Sequence, residues 1–289
     1  MTDVKSVQHG RAAPRRVTLD LSVPSTPANS FITDIAFWFV QGRGDWLASS
    51  AWVSLLGTLG ISSPNARTAL HRMTAGGYLE RRRVDGRPGY AISADWSEWI
   101  TRGMFEEEPP SDLAPEWTLL AFSIPESRRA ERHAIRQLLG RLGFGSLGNG
   151  VWIASAQRQP DVREALQAAG LEGYVDLFQA EYTGFIDVAD FARRCWDIDS
   201  LAATYRSFIA DVRDRLKHRP GVNAQTFVDV VVTNNAWRRI EFTNPALPRS
   251  ALPRDWPRED ARHLRNKLIG RFLEPAREFV AAVGSVTAN

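Results

Sequence analysis

The residues best suited to chemistry lie in one short stretch, SPNARTALHRM, from Ser63 to Met73. Ser63, Asn65, Arg67, Thr68, His71 and Arg72 supply hydroxyl, amide, guanidinium and imidazole groups with no carboxylate among them. A guanidinium forks onto guanine O6 and N7 or onto a phosphate, and an Asn amide matches the adenine edge. Such a set suits the reading of bases and phosphates, set against an ordinary solvated face or a protein-docking surface. A second cationic group follows at Arg81, Arg82, Arg83 and Arg87. From Ser62 to Ile92 six arginines face two acids, Glu80 and Asp85, a local excess of +4 within a chain whose net charge is only +3. A merely solvated helix mixes Glu with Lys, whereas an acid-free one beside an arginine cluster suits a nucleic-acid face. Ser63 and the arginines at 81, 82, 83 and 87 are expected on phosphates or in the minor groove, with Asn65, Arg67 and Arg72 at base edges.

The elements that must carry these groups follow from hydrophobic spacing. Ala66, Leu70 and Met73 form a helical stripe, with Ser63 as cap, Pro64 in the first turn and Gly76-Gly77 as the stop. Upstream, Ile32, Ile35, Ala36 and Phe39 predict a helix over Phe31 to Gln41, ended by Gly42 and Gly44. A second helix is expected from Ser50 through Leu56. Downstream, YLERRRVDGRPGYAIS predicts a hairpin turning at Asp85-Gly86 and Pro88-Gly89. Three helices and a hairpin make residues 30–101 a winged helix-turn-helix with Ser63 to Met73 as its recognition helix.

The remainder divides by pattern. Residues 1–29 read as a flexible tail and residues 102–115, acidic and proline-rich, as a linker. Residues 116–186 alternate strand and helix signals in the order β-α-β-β-α-β, the ferredoxin-like split sandwich. Residues 187–289 carry helical spacing throughout. The fold class is therefore α+β, with a winged-helix unit, a ferredoxin-like middle and a helical C-terminal domain.

Several function classes find no support. No run approaches the ~18 apolar residues of a membrane span, and no apolar run backs Lys5, Arg11, Arg15 and Arg16 as in a secretory signal. The single cysteine, Cys195, excludes an internal disulfide and fits a reducing cytoplasm, and five scattered histidines offer no metal-ligand spacing. Gly143, Gly145 and Gly148 satisfy G-x-G-x-x-G, but a helix precedes them and a strand follows, the reverse of a dinucleotide site. Cys195 has no nearby histidine to activate it, and Asp197 suits a helix cap. No catalytic residue, metal or cofactor is expected.

The order of motifs resembles the PaaX family, bacterial repressors of phenylacetic acid degradation genes. SPNARTALHRMTAGGYLERRR and LLAFSIPESRRAERHAIRQLLGRLGFGSLGNGVWIAS carry the resemblance, joined by RRCWDIDSLAATYRSF and LPRDWPREDARHLRNKLIGRFLEPAREF. It implies a winged-helix domain, a middle domain similar to the Cas2 nuclease fold, and a helical C-terminal domain. It also implies a homodimeric repressor on double-stranded operator DNA, released by an acyl-coenzyme A effector such as phenylacetyl-coenzyme A. Effector binding between the middle and C-terminal domains would shift the dimer to a spacing unmatched to the operator. Arg193, Arg194 and Trp196 are the candidate ligand residues, although two arginines there also suit a helix C-terminus. Two other readings stand beside this one. A Cas2-like nuclease would need a carboxylate where this chain has Ser123, and Asp161 and Asp176 lie elsewhere in the pattern. A protein-docking module would not need the arginines at all.

Overall fold

The computed structural model describes residues 27–98 and 116–286. The tail expected at the N-terminus falls outside them except for residues 27–29, and so does the linker over 102–115.

Helix α1 (Pro27–Ile35) opens on a proline and continues into a π-helical turn over Ala36–Val40. It begins four residues before Phe31. Gly42, Gly44 and Asp45 take positive φ at its end, and β1 (Trp46–Ala48) follows. Helices α2 (Ser49–Thr58) and α3 (Ser63–Ala75) come next, then strands β2 (Leu79–Val84) and β3 (Arg87–Ile92). The sheet order is β1-β3-β2, antiparallel throughout. Three details differ from the sequence reading. Strand β1, at three residues, is too short to show a period. Ser62 holds the cap position of α3, without a side-chain cap bond. Pro88 and Gly89 lie inside β3, so only Asp85-Gly86 turns the hairpin. Their φ values of 51° and 76° fit a two-residue turn whose twist matches the strands.

Gly89 has a packing reason to be glycine. A Cβ there would stand 2.4 Å from the Leu47 carbonyl oxygen and 2.4 Å from the Trp46 indole. The indole lies across the hairpin and donates from Nε1 to the Arg82 carbonyl at 3.2 Å. Backbone cannot yield as a flexible side chain does. Gly89→Val is therefore expected to destabilise the protein by ~1–3 kcal/mol as an overpacked site, read as a lowered urea midpoint at unchanged slope.

The middle unit runs β4 (Trp117–Phe122), α4 (Arg129–Arg141), β5 (Gly145–Gly148), β6 (Val151–Ser155), α5 (Gln159–Ala169) and β7 (Val175–Ala180). Its antiparallel sheet has the order β5-β6-β4-β7, the double split β-α-β arrangement. One face packs Leu120 and Ala154 with Ile135, Leu139, Val162 and Leu166 of the two helices. The other sets Trp117 and Ile153 against Phe191, Leu247 and Ala251.

Four helices follow: α6 (Val188–Cys195), α7 (Ile198–Arg215), α8 (Ala224–Thr243) and α9 (Arg258–Val286). Asp187, Asp197 and Asn223 cap the first three through side-chain acceptors. The last three helices share their core with the N-terminal unit. Ile32, Ile35, Trp52, Leu55, Leu70 and Leu79 belong to one buried cluster with Tyr205, Phe208, Phe227, Val231, Leu268 and Phe272. The division into residues 30–101 and 187–289 by pattern gave no sign of this joint core.

A buried ion pair spans the same junction. Asp34 of α1 is fully buried and accepts from Arg238 of α8 at 3.1 and 3.2 Å and from Asn235 at 2.6 Å. Arg238 also donates to the Ser30 carbonyl at 3.0 Å. Burial raises the Asp34 carboxyl above its ordinary range, against the opposing pull of Arg238, Asn235 and Arg265.

Candidate nucleic-acid interface

Helix α3 turns Ala66, Ala69, Leu70 and Met73 into the core and leaves Asn65, Arg67, Thr68, His71 and Arg72 exposed. At 100° per residue those five side chains span an arc of about 160°. Arg67 and His71 lie along one margin, Asn65 and Arg72 along the other, and Thr68 between them. The Thr68 hydroxyl donates to the Pro64 carbonyl at 3.0 Å, so its outward face offers a methyl group and acceptor lone pairs. Ser63 is exposed in the first turn, which holds no acid. The positive end of the helix dipole is thus unopposed by a carboxylate on its own first turn.

Strand β2 follows α3 after Gly76-Gly77 and Tyr78, and it brings Arg81, Arg82 and Arg83 to the surface. By strand alternation Arg81 and Arg83 project on the Leu79 face and Arg82 on the Trp46 face. Arg83 donates to the Gly86 carbonyl at 2.9 Å and so stiffens the hairpin tip. Arg82 sits 4.0 Å from Glu80 with both side chains about half exposed, a weak pair.

Arg87 is placed differently from its three neighbours. Its guanidinium lies 5.5 Å from the Trp46 ring centre and donates to the Gly284 carbonyl of α9 at 3.2 Å. Sequence reasoning grouped it with the outward arginines. The partners are 41 and 197 positions away, so no local signal reports them.

The ligand candidates also find internal partners. Arg193 and Arg194 occupy the last turn of α6, where cations complement the dipole. Arg193 pairs with Asp190 at 3.1 Å, and Arg194 lies 5.9 Å from the Phe191 ring. Trp196 donates to the Gly143 carbonyl at 2.9 Å and stacks on Trp117 at 6.0 Å. A Cβ on Gly145 would meet the Trp196 ring at 2.6 Å. Of the three motif glycines it is Gly145, which opens β5, that makes room for the indole, while Gly143 ends α4 with positive φ and packs against the Asn244 backbone. Burial pushes the Cys195 thiol up to about 11, against a smaller opposing effect of Arg194, so it stays protonated at neutral pH.

Of the carboxylates tied to the nuclease reading, Asp161 pairs with Arg158 at 3.4 Å in the first turn of α5, and Asp176 is exposed on edge strand β7. Among the described residues no three His, Cys, Asp or Glu side chains come together as a metal-holding group. No helix there is long and apolar enough to cross a membrane.

Comparison with known proteins covers nearly the whole chain. The family "PaaX-like protein" matches residues 28–96, "PaaX protein central Cas2-like domain" residues 110–192, and "PaaX-like protein C-terminal domain" residues 196–282. The transcriptional repressor PaaX of Escherichia coli is 26% identical over 265 residues, which span 86% of this chain and 81% of that protein. Among solved structures, the uncharacterized protein Rv0674 from Mycobacterium tuberculosis superposes with a TM-score of 0.59 at 21% identity, over 89% of this chain and 98% of that one. That likeness concerns the fold alone. With three successive family regions in order along it, the chain belongs to the PaaX family and carries that family's Cas2-like domain at its centre.

Proposed function

We propose that this protein is a DNA-binding transcriptional repressor of phenylacetate-type catabolic genes. Residues 27–98 form its winged helix-turn-helix, with α3 as recognition helix and β2–β3 as wing. The observation that carries this reading is the outer face of α3: two arginines, an asparagine and a histidine exposed with no acid, adjoining a strand with three exposed arginines. Arg67, Arg72 and Asn65 address base edges, and Ser63, Arg81, Arg82 and Arg83 hold phosphates. The name of the Escherichia coli relative supports the repressor role.

The protein acts as a homodimer on paired half-sites and lets go when an acyl-coenzyme A, phenylacetyl-coenzyme A first among them, binds. It works without catalysis and without a cofactor. The supporting chemistry is negative charge seeking arginine on one side and a Cas2-like unit with a serine at position 123 on the other.

Fluorescence anisotropy with promoter DNA adjoining the gene, at fixed salt, tests the reading. Specific binding abolished by phenylacetyl-coenzyme A is the expected result. Binding indifferent to that thioester keeps the repressor and discards this effector, and absence of specific binding leaves a docking module. Arg82→Ala serves as a probe of the wing. Each phosphate contact contributes about 0.9 to the slope of log affinity against log salt. The variant is expected to lose about that much slope and to weaken all DNA sequences alike.

A further inference from the structure

We infer that Arg87 positions the wing from the C-terminal helix, so that the end of α9 sets how the hairpin is presented. The inference rests on the reading of β2–β3 as a DNA-contacting wing. Three observations converge on it. Arg87 Nη1 donates to the Gly284 carbonyl at 3.2 Å, in the last turn of a helix whose final carbonyls lack intrahelical partners. A cation is favoured there by the helix dipole as well. The same guanidinium lies over Trp46, whose indole covers Gly89 and holds the Arg82 carbonyl. Next to this contact, the Cα of Gly284 is directed at Leu47, with a Cβ position only 3.6 Å from Leu47 Cδ1. The end of α9 therefore meets this sheet at two points, Arg87 of β3 and Leu47 of β1.

The other end of α9 sits at the junction with the Cas2-like unit. Arg258, its first residue, donates to Glu241 at 2.6 Å, and Glu241 accepts from Tyr205, whose hydroxyl accepts from Asn244 at 3.0 Å. Arg158 of the Cas2-like unit donates to the Asn244 carbonyl at 2.9 Å. Twenty-nine helical residues, with Pro275 inside them, follow a helical path of about 43 Å. It connects that junction to the wing, and Arg87 is the side chain through which the wing grips it.

Hydrogen exchange of the DNA-free protein and operator affinity across a salt series separate this role from a phosphate contact. Arg87→Ala is expected to raise exchange of amides over residues 79–92 by about tenfold, as local opening becomes easier. It weakens operator binding while leaving the salt slope at the wild-type value. Arg87→Lys keeps the charge but replaces the planar fork by a point charge, and is expected to recover only part of both losses. Unchanged exchange in the free Arg87→Ala protein overturns the inference. So does a slope reduced by about 0.9, the mark of a lost phosphate contact. If the wild-type protein binds no promoter DNA, the repressor reading fails by itself, and the exchange comparison still decides whether Arg87 holds the hairpin to α9.

Discussion

Arg238→Met is expected to lower the unfolding free energy by about 3–5 kcal/mol, because it strands a buried carboxylate without its cation. Asp34 has no solvent exposure, and Arg238 supplies two of its close hydrogen bonds. Asn235 remains at 2.6 Å, which holds the loss towards the lower end of that range. The affected core is the one shared by α1–α3 with α7–α9, so the loss reaches both the N-terminal unit and the C-terminal helices. Asp34→Leu combined with Arg238→Met is expected to regain most of it, since a buried pair exchanged for apolar groups is near neutral. Urea unfolding of the two variants beside the wild type checks this. A double variant as unstable as the single one would assign the loss to packing instead of charge.

The same substitution carries a pH signature. Asp34 in the folded protein has a raised pKa, from burial first, opposed by Arg238, Asn235 and Arg265. A raised carboxyl binds its proton more tightly folded than unfolded. Its favourable contribution is full below the unfolded value and is lost as pH rises through the folded one. Removal of Arg238 takes away the largest of the opposing effects and raises the folded pKa further. The deficit of Arg238→Met is thus greatest at neutral pH and narrows as the solution is acidified towards that raised value.

How much of this was legible in the sequence depended on range. The stripe Ala66, Leu70 and Met73 and the Gly76-Gly77 stop located α3 closely, since both are local in the chain. The Asp85-Gly86 turn was equally readable, because positive φ there favours glycine and its short polar neighbour. The ferredoxin-like order of the middle unit followed from alternation of strand and helix periods, with a short strand counted within the glycine stretch, whereas its Cas2 likeness came only with the family resemblance. What could not be read were contacts between distant segments. Asp34 lies within an ordinary apolar helix pattern, and its partners are 201 and 204 positions away. Arg87 looks like its neighbours until α9 arrives beside it. Trp196 suggests a ligand platform by type, yet its indole is used to join α6 to the turn after α4. Composition named the arginines of this chain, and only tertiary packing divides those that face outward from those that hold the protein together.

Among the outward ones, Arg67 and Arg72 are expected to matter most for the choice of DNA. Each substitution to Ala removes a fork able to reach guanine O6 and N7, and each is expected to lose ~1–3 kcal/mol of operator affinity. The two lie five residues apart, at opposite margins of the exposed face of α3. Side chains so placed address different base pairs, and the double variant is expected to lose close to the sum of the single effects. Affinity for unrelated DNA falls far less, because phosphate contacts from Arg81, Arg82 and Arg83 persist and supply the sequence-independent share of binding. The ratio of operator to unrelated DNA affinity, measured at one salt concentration, is therefore the decisive quantity. It should fall by a factor of about 30 or more in the double variant, which corresponds to about 2 kcal/mol at the lower bound of both effects. Parallel losses on both DNAs would reassign the two arginines to phosphates. An unchanged operator affinity would remove α3 from the interface altogether, and with it the physical basis for reading this helix as the element that recognises sequence.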